Sequence, residues 1–399
     1  MRIVKQRIYI IALLLGIGTY TYGEVDAIPS VEFLNHTSQI ILVGVATPDP
    51  TIAGSINIQV LRVLKGQQLL HSDTLTLGGI RTTGECGIPP NAQPVTAIWF
   101  LSSSPSGALV LAQSPRSQSC HPFANDFEVE AGSLSSKWQY PDSIPAKDKL
   151  AYELAASIEA NNGDGPYALI LNAQLLRGVS KETGTDIYSK LAADGSGSLH
   201  FLGLLGLVQL ADAPSVQTLA SNVSVLEQTK ARTFLMKNGK QVPITYGTEK
   251  SNVSTRAPEI AQSIFSLKST DDALVNALGR ILQDATALQI KYATAEALQN
   301  IHTPLALSFL APLLNSEDKQ LRSFAIGGLS CFANSVPVVD LSTPGGGISL
   351  GNKGPFKTTD TIAHFAMGEM TISKRPDYYL SYWKSWWVNN AASVQTQTH

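Results

Sequence analysis

The chain predicts a multidomain protein: a small all-β barrel, followed by an all-α solenoid of helical hairpins. Three observations carry that expectation. Between about residue 31 and residue 130, short β-branched and aromatic runs are bounded by turn residues. From about residue 144 the hydrophobic period becomes helical, in segments of 10–17 residues flanked by Gly, Pro, Asp or Ser. Within that half one phrase is written twice. "ATALQIKYATAEAL" and "EDKQLRSFAIGGL" each place a basic residue, Lys291 then Arg322, seven positions before a leucine, Leu298 then Leu329.

The amino terminus stands apart from both halves. "MRIVKQR" carries Arg2, Lys5 and Arg7; the uncharged run "IYIIALLLGIG" and the small residues of "TYTYGEVDA" follow. Charge, apolar run and small residues in that order describe a secretory signal over residues 1–27, cleaved after Gly23 or Ala27. The apolar run has 11 residues, and a spanning helix needs about 20. A secreted or periplasmic location follows, with no stable membrane insertion after cleavage; an uncleaved segment acting as an anchor is the alternative. Cleavage after Gly23 takes the net charge from −2 to −5. An acidic surface with no run of like charge argues against nucleic acid as a partner.

The β domain is expected over residues 28–135. Its strand candidates are "QIILVGVAT" (39–47), "INIQVLRVLKG" (56–66), "DTLTLGGI" (73–80), "VTAIWFLSS" (95–103) and "GALVLAQS" (107–114). In the second, Ile56, Ile58, Val60 and Leu64 alternate imperfectly with Asn57, Gln59 and Arg62. Export implies an oxidising compartment, where thiols pair. Of the three cysteines, Cys86 and Cys120 share this segment and lie in Gly/Pro/Ser-rich loops, so they are expected to form a disulfide. Cys331 sits in the apolar helix "IGGLSCFA" and reads as an inert buried thiol.

The helical array is expected over residues 144–334. Leu150, Leu154 and Ile158 form one stripe. Further segments follow: "GPYALILNAQLLRG", "TGTDIYSKLAAD", "SGSLHFLGLLGLVQLAD", "APSVQTLASNVSVLEQ", "APEIAQSIFSLKS", "DDALVNALGRILQD" and "TPLALSFLAPLLNS". Leu176, Leu207, Leu298 and Leu329 end equivalent stripes at spacings of 31, 91 and 31 residues. One helical hairpin has that length, and its apolar face needs a neighbouring copy to cover it. Ala293, Ala295 and Ala325 keep the second helices slim, and Arg322 is placed to pair with Asp318 one turn back. The polar stretch 237–256 reads as an extended loop between repeats. A Gly/Pro-rich loop (335–357), a helical aromatic cap (358–390) and a flexible tail (391–399) complete the chain. In the cap, Tyr379, Trp383 and Trp386 share one helical stripe, expected to cover the last hairpin's open face.

Two resemblances add to this reading. "ILVGVAT", then "VLRVLKG", a cysteine before "AIWFL", and "GALVLAQSP" ahead of a second cysteine resemble the netrin-like, tissue-inhibitor-like OB barrel of some secreted bacterial proteins. Inhibitors of that superfamily act through a cysteine at the mature amino terminus, which this chain lacks, so inhibition is not implied. "NSEDKQLRSFAIGGL" resembles the HEAT repeat in its acidic turn, apolar-Arg pair, Ala and Leu; "QDATALQIKYATAEAL" matches with Lys291 in place of Arg. The repeat-signature positions are Lys291, Leu298, Asp318, Arg322, Ala325 and Leu329.

Motifs that carry chemistry are sparse. Seven histidines form no H-x-H or H-x-x-x-H pair, so no metal or cofactor is expected. "GGGISLGNKG" departs from a phosphate-binding loop, and no G-x-S-x-G is present. His200 and His364 read as core histidines, and Asp271 and Asp272 as helix-capping residues. The expectation is a non-enzymatic scaffold that binds an unknown protein or peptide. The competing readings are an enzyme or inhibitor acting through loops around Cys86 and Cys120, and a structural envelope component.

Overall fold

The computed structural model describes residues 31–52, 54–78, 93–104, 107–112, 134–160, 179–193, 197–229, 234–237, 240–243, 255–265, 267–338, 354–356, 358–366 and 372–398. The signal segment, Cys86, Cys120 and Leu176 lie outside them. The chain divides into two compact units. The first holds the described residues up to Gly206 together with those of 232–248; the second holds Leu207–Ala231 and the described residues beyond 249.

The first unit is built on a five-stranded antiparallel sheet. Strands β1 (Ile40–Pro48), β2 (Ile56–Lys65), β3 (Thr74–Leu77), β4 (Val95–Ser103) and β5 (Leu109–Leu111) stand in the order β3-β2-β1-β4-β5. One face presents Leu42, Ala46, Ile56, Ile58, Leu77 and Trp99 to a common core. Ile41, Val43, Ile98 and Phe100, at the alternate positions, are fully buried too. Burial on both faces is why β1 and β4 read as continuous apolar runs. The β1–β2 ladder shifts register at Ile41/Leu42 and at Val43/Gly44. Such bulges re-aim side chains, which accounts for the imperfect alternation of β2. Gly44 sits at the second shift, where a Cβ would lie 2.5 Å from the Ile58 side chain and 2.8 Å from the Gln59 carbonyl oxygen. The Trp99 indole N–H donates to the Gly44 carbonyl at 2.9 Å.

The sheet curls into half a barrel. Its end strands β3 and β5 come within 8 Å, Cα to Cα, without pairing. Helix α1 (Val31–Thr37) precedes β1 where strand alone was expected; it packs along β4 and buries Leu34.

Helices α2 (Ala146–Ala160), α3 (Lys181–Ala192) and α4 (Gly197–Gln209) follow. The sequence placed a domain boundary between 135 and 144, but the units divide at Gly206 and Leu207. α2 belongs with the sheet because it packs on β2 and because Arg62 of β2 is clamped to Glu153 of α2. Buried Asp148 ties α2 to α3, accepting from the Ser180 hydroxyl at 2.8 Å and the Thr183 hydroxyl at 3.0 Å. α4 approaches α3 through glycine: a Cβ at Gly206 would stand 2.1 Å from the Tyr188 ring. Strands β6 (Phe234–Lys237) and β7 (Lys240–Pro243) form an antiparallel hairpin across Asn238-Gly239. The expected loop from 237 therefore begins inside a hairpin, as an Asn-Gly pair between extended runs favours.

The second unit is helical. It holds α5 (Ala213–Leu226), α6 (Ala257–Phe265), α7 (Asp272–Asp284), α8 (Leu288–Ile301), α9 (Pro304–Leu310) with a 3-10 turn (Ala311–Asn315), α10 (Lys319–Ala333), α11 (Thr359–Ala363) and α12 (Pro376–Gln395). The helix starts follow local chemistry. Asp212, Asp271, Thr303, Asp318 and Thr358 each cap a helix by accepting a backbone N–H. α5, α7 and α9 lie side by side in sequence-alternate order, and so do α6, α8 and α10. Slim residues permit that approach: Ala293, Ala295 and Ala325 are fully buried. α12 packs on α9 and α10. It runs on through Ala391–Gln395, where a flexible tail was expected, because Val394 continues the stripe of Trp383 and Trp386 and is itself fully buried. No helix among the described residues is long and apolar enough to cross a membrane.

Candidate functional site

Of the residues read as a repeat signature, Lys291 and Leu298 lie on α8, Asp318 caps α10, and Arg322, Ala325 and Leu329 lie on α10. Leu298, Ala325 and Leu329 are fully buried. Asp318 caps α10, accepting from the N–H groups of Gln320 at 2.8 Å and Leu321 at 2.9 Å, and takes a third bond from the Tyr292 hydroxyl at 2.7 Å. Desolvation pushes its pKa up, but these donors outweigh it and hold the carboxyl below the usual range. Arg322 departs from expectation. Instead of pairing with the Asp318 side chain, it donates to the carbonyl oxygens of Ser316 at 2.7 Å and Glu317 at 3.0 Å. Asp318 is already engaged by three donors, and the tight turn before α10 turns carbonyls toward the guanidinium. Lys291 stands half-buried on α8.

In the cap, Trp383 and Trp386 are buried while Tyr379 is half-buried. The Trp383 indole N–H donates to the His364 carbonyl at 3.1 Å. Trp386 meets Phe356 edge-on at 4.8 Å between centroids. His364 is not a core residue: its ring stacks on Tyr382 at 3.6 Å and on Tyr378 at 4.9 Å, and Tyr378 is exposed. Cys331 is a free, buried thiol whose pKa burial pushes up to about 12.

The α5–α7 row carries exposed polar side chains, with Asp271, Asp272, Asp284 and Arg280 as exposed charges on α7 and its cap. Thr218, Ser221, Asn222 and Asn276 are exposed, and each donates to the carbonyl four residues back. One donor hydrogen of each is thereby engaged. Val225 adds an exposed apolar contact at 69% and Arg280 an exposed cation. Such a face suits hydrogen-bonded docking of another chain better than attraction of polyanions.

A second cluster, in the first unit, escaped the sequence reading. Arg62 holds Glu153 with two bonds, 2.7 and 2.8 Å, and the Tyr140 hydroxyl donates to the same carboxylate at 2.9 Å. The Glu153 side chain is fully buried. Burial alone would lower the Arg62 pKa, but the bonded carboxylate of Glu153 raises it on balance. Nearby, the Tyr152 hydroxyl donates to Asp186 at 2.7 Å, and Lys190 binds the same carboxylate oxygen at 2.6 Å. Trp138 and Lys137 both bind Glu159. The one available signal was "KWQY" (137–140), an aromatic pair within a Ser/Pro-rich stretch.

Among the described residues no group of three or more metal-ligating side chains converges. Comparison with protein-family models, curated proteins and solved structures finds no match for the chain.

Proposed function

We propose that the chain is an exported, non-enzymatic scaffold that binds a protein or peptide partner on its helical-repeat surface. The observation that carries this reading is the sequence-alternate packing of α5, α7 and α9 in one row and α6, α8 and α10 in the other. Hairpins that stack this way extend indefinitely and offer a long face instead of a pocket, the arrangement of a HEAT-like solenoid. α12 then serves as the terminal cap, covering α9 and α10 with buried Trp383 and Trp386. The exposed polar side chains and Val225 on the α5–α7 row supply the contact chemistry.

For the first unit, the OB-like, netrin-like reading draws support from the strand order and from the approach of β3 to β5, as in a partly open five-stranded barrel. Export rests on the charged, apolar and small-residue order of residues 1–27.

Crosslinking with mass spectrometry in native extract tests the reading. A discrete partner crosslinked to residues of the α5–α7 face, and lost when Val225→Asp and Arg280→Glu are combined, supports it. A native extract that yields no heterologous crosslink on the second unit overturns it.

A further inference from the structure

An unusual set of groups surrounds the ammonium of Lys190. It lies 5.3 Å from the centroid of the Tyr152 ring and 6.0 Å from that of Trp138, and it binds Asp186 at 2.6 Å. Tyr140 backs Tyr152 at 5.7 Å. Trp138 carries a second ammonium, that of Lys137, at 5.1 Å.

An ordinary pair four residues apart on a helix, which Asp186 and Lys190 are, needs none of this company. Here a separate segment, Lys137–Tyr140, delivers the indole and one phenol, and α2 delivers the other. Trp138 is only 1% exposed, yet two lysine head groups lie over its ring and the Glu159 carboxylate accepts from its N–H. Rings with a carboxylate beside them form an environment selective for ammonium cations, because the electron-rich ring faces attract charge without demanding hydrogen bonds. Tyr152 donates to Asp186, which fixes its ring and leaves the phenol neutral; burial, and then that bond, push its pKa up.

We propose that Trp138, Tyr152 and Asp186 form an ammonium-accepting box, occupied in this structure by the chain's own Lys190, that takes a methylated ammonium head group in its place. The exchange is favoured by hydration. A primary ammonium is compact and strongly hydrated, whereas methylation spreads the charge over apolar surface that packs on the rings. Access is from the side of Lys190 and Asp186, whose side chains are 30% and 43% exposed; the Trp138 wall is covered until Lys190 leaves. Displaced Lys190 can extend into water at little cost.

Two measurements on the full chain test this. In calorimetric titration with tetramethylammonium chloride against sodium chloride of equal ionic strength, Lys190→Ala, which empties the box, is expected to bind at least tenfold more tightly than the wild type. The second needs no variant. Acetylation of Lys190 in the wild type, followed by mass spectrometry, should accelerate severalfold with tetramethylammonium and stay unchanged with sodium. Specific binding by Lys190→Ala supports the box; should that variant not fold, accelerated labelling of the wild type does so. Lack of saturable binding, together with flat labelling, overturns it. Choline and Nε-trimethyllysine, titrated in turn, separate a free small molecule from a modified side chain as the source of the head group.

Discussion

Glu227 offers the sharpest test of how the helical unit is held together. Helix α8 begins at Leu288 behind Ala287, which has no side chain able to cap it. The cap arrives from 60 residues away. The Glu227 carboxylate accepts from the Thr286 N–H at 2.9 Å, the Ala287 N–H at 3.0 Å and the Thr286 hydroxyl at 2.6 Å. Glu227 is itself the C-cap of α5 and only 3% exposed. A hydrogen bond to a charged group is worth about 1.5–3 kcal/mol where water is excluded. Thr286 is exposed, so water replaces part of what its donors lose. Discounting each bond to about 1 kcal/mol on that ground, Glu227→Ala should cost about 3 kcal/mol, and Glu227→Gln, which keeps one acceptor oxygen, about half as much. Thr286→Val, which removes one donor, should cost about 1 kcal/mol. Urea unfolding of the full chain, with hydrogen exchange at the first turn of α8, reads these values. A Glu227→Ala protein within about 0.5 kcal/mol of wild type and with unaltered exchange at Ile290 and Lys291 would refute the reasoning.

The remaining predictions concern other buried groups. Arg62→Met leaves the buried Glu153 carboxyl with only the Tyr140 hydroxyl as a partner. It should destabilise the first unit by about 3 kcal/mol, and adding Glu153→Leu should restore part of the loss in a urea titration. Trp383→Ala should cost about 3–5 kcal/mol, read as a lowered melting temperature. Burial pushes the Glu259 carboxyl up to about 7, against an ordinary 4.5. The stability that its proton supplies is fully present below pH 4.5 and is lost as pH rises through 7, so Glu259→Gln should flatten the melting profile across that window. Cys331, pushed to about 12 from an ordinary 9.0, should resist maleimide at pH 8 until the chain is unfolded. Its contribution is full below pH 9 and is lost as pH climbs toward 12.

The elements most legible in the sequence were those whose burial pattern is local. β1, β2 and β4 were found within a residue or two because β-branched runs between turn residues report a strand directly. α7, α8 and α10 were equally plain, since Asp271 and Asp318 announce helix starts and a 3.6-residue stripe follows. Helix α1 was missed because seven residues carry too little periodicity to oppose the strands beside them. The hairpin β6–β7 was missed because its polar residues resemble a loop, and the Asn-Gly pair in the sequence was the overlooked clue. The Trp138 box was invisible for a different reason. Its groups lie at 138, 152 and 186, and only the docking of three segments brings them together.

What the chain's order of residues determined by itself is the alternation of secondary structure: five extended runs, then helices with their caps, each set by φ/ψ preference, turn chemistry and the spacing of apolar side chains. What only the tertiary structure decided is partnership. It assigned α2 to the sheet through Arg62 and Glu153, sent Arg322 to backbone carbonyls instead of Asp318, and made Glu227 the cap of a helix whose N-cap position lies 60 residues later. Local preferences act over a few residues and are written in them. A buried charge instead takes whichever partner the folded chain brings within about 3 Å, and no short stretch of sequence contains both halves of that bargain.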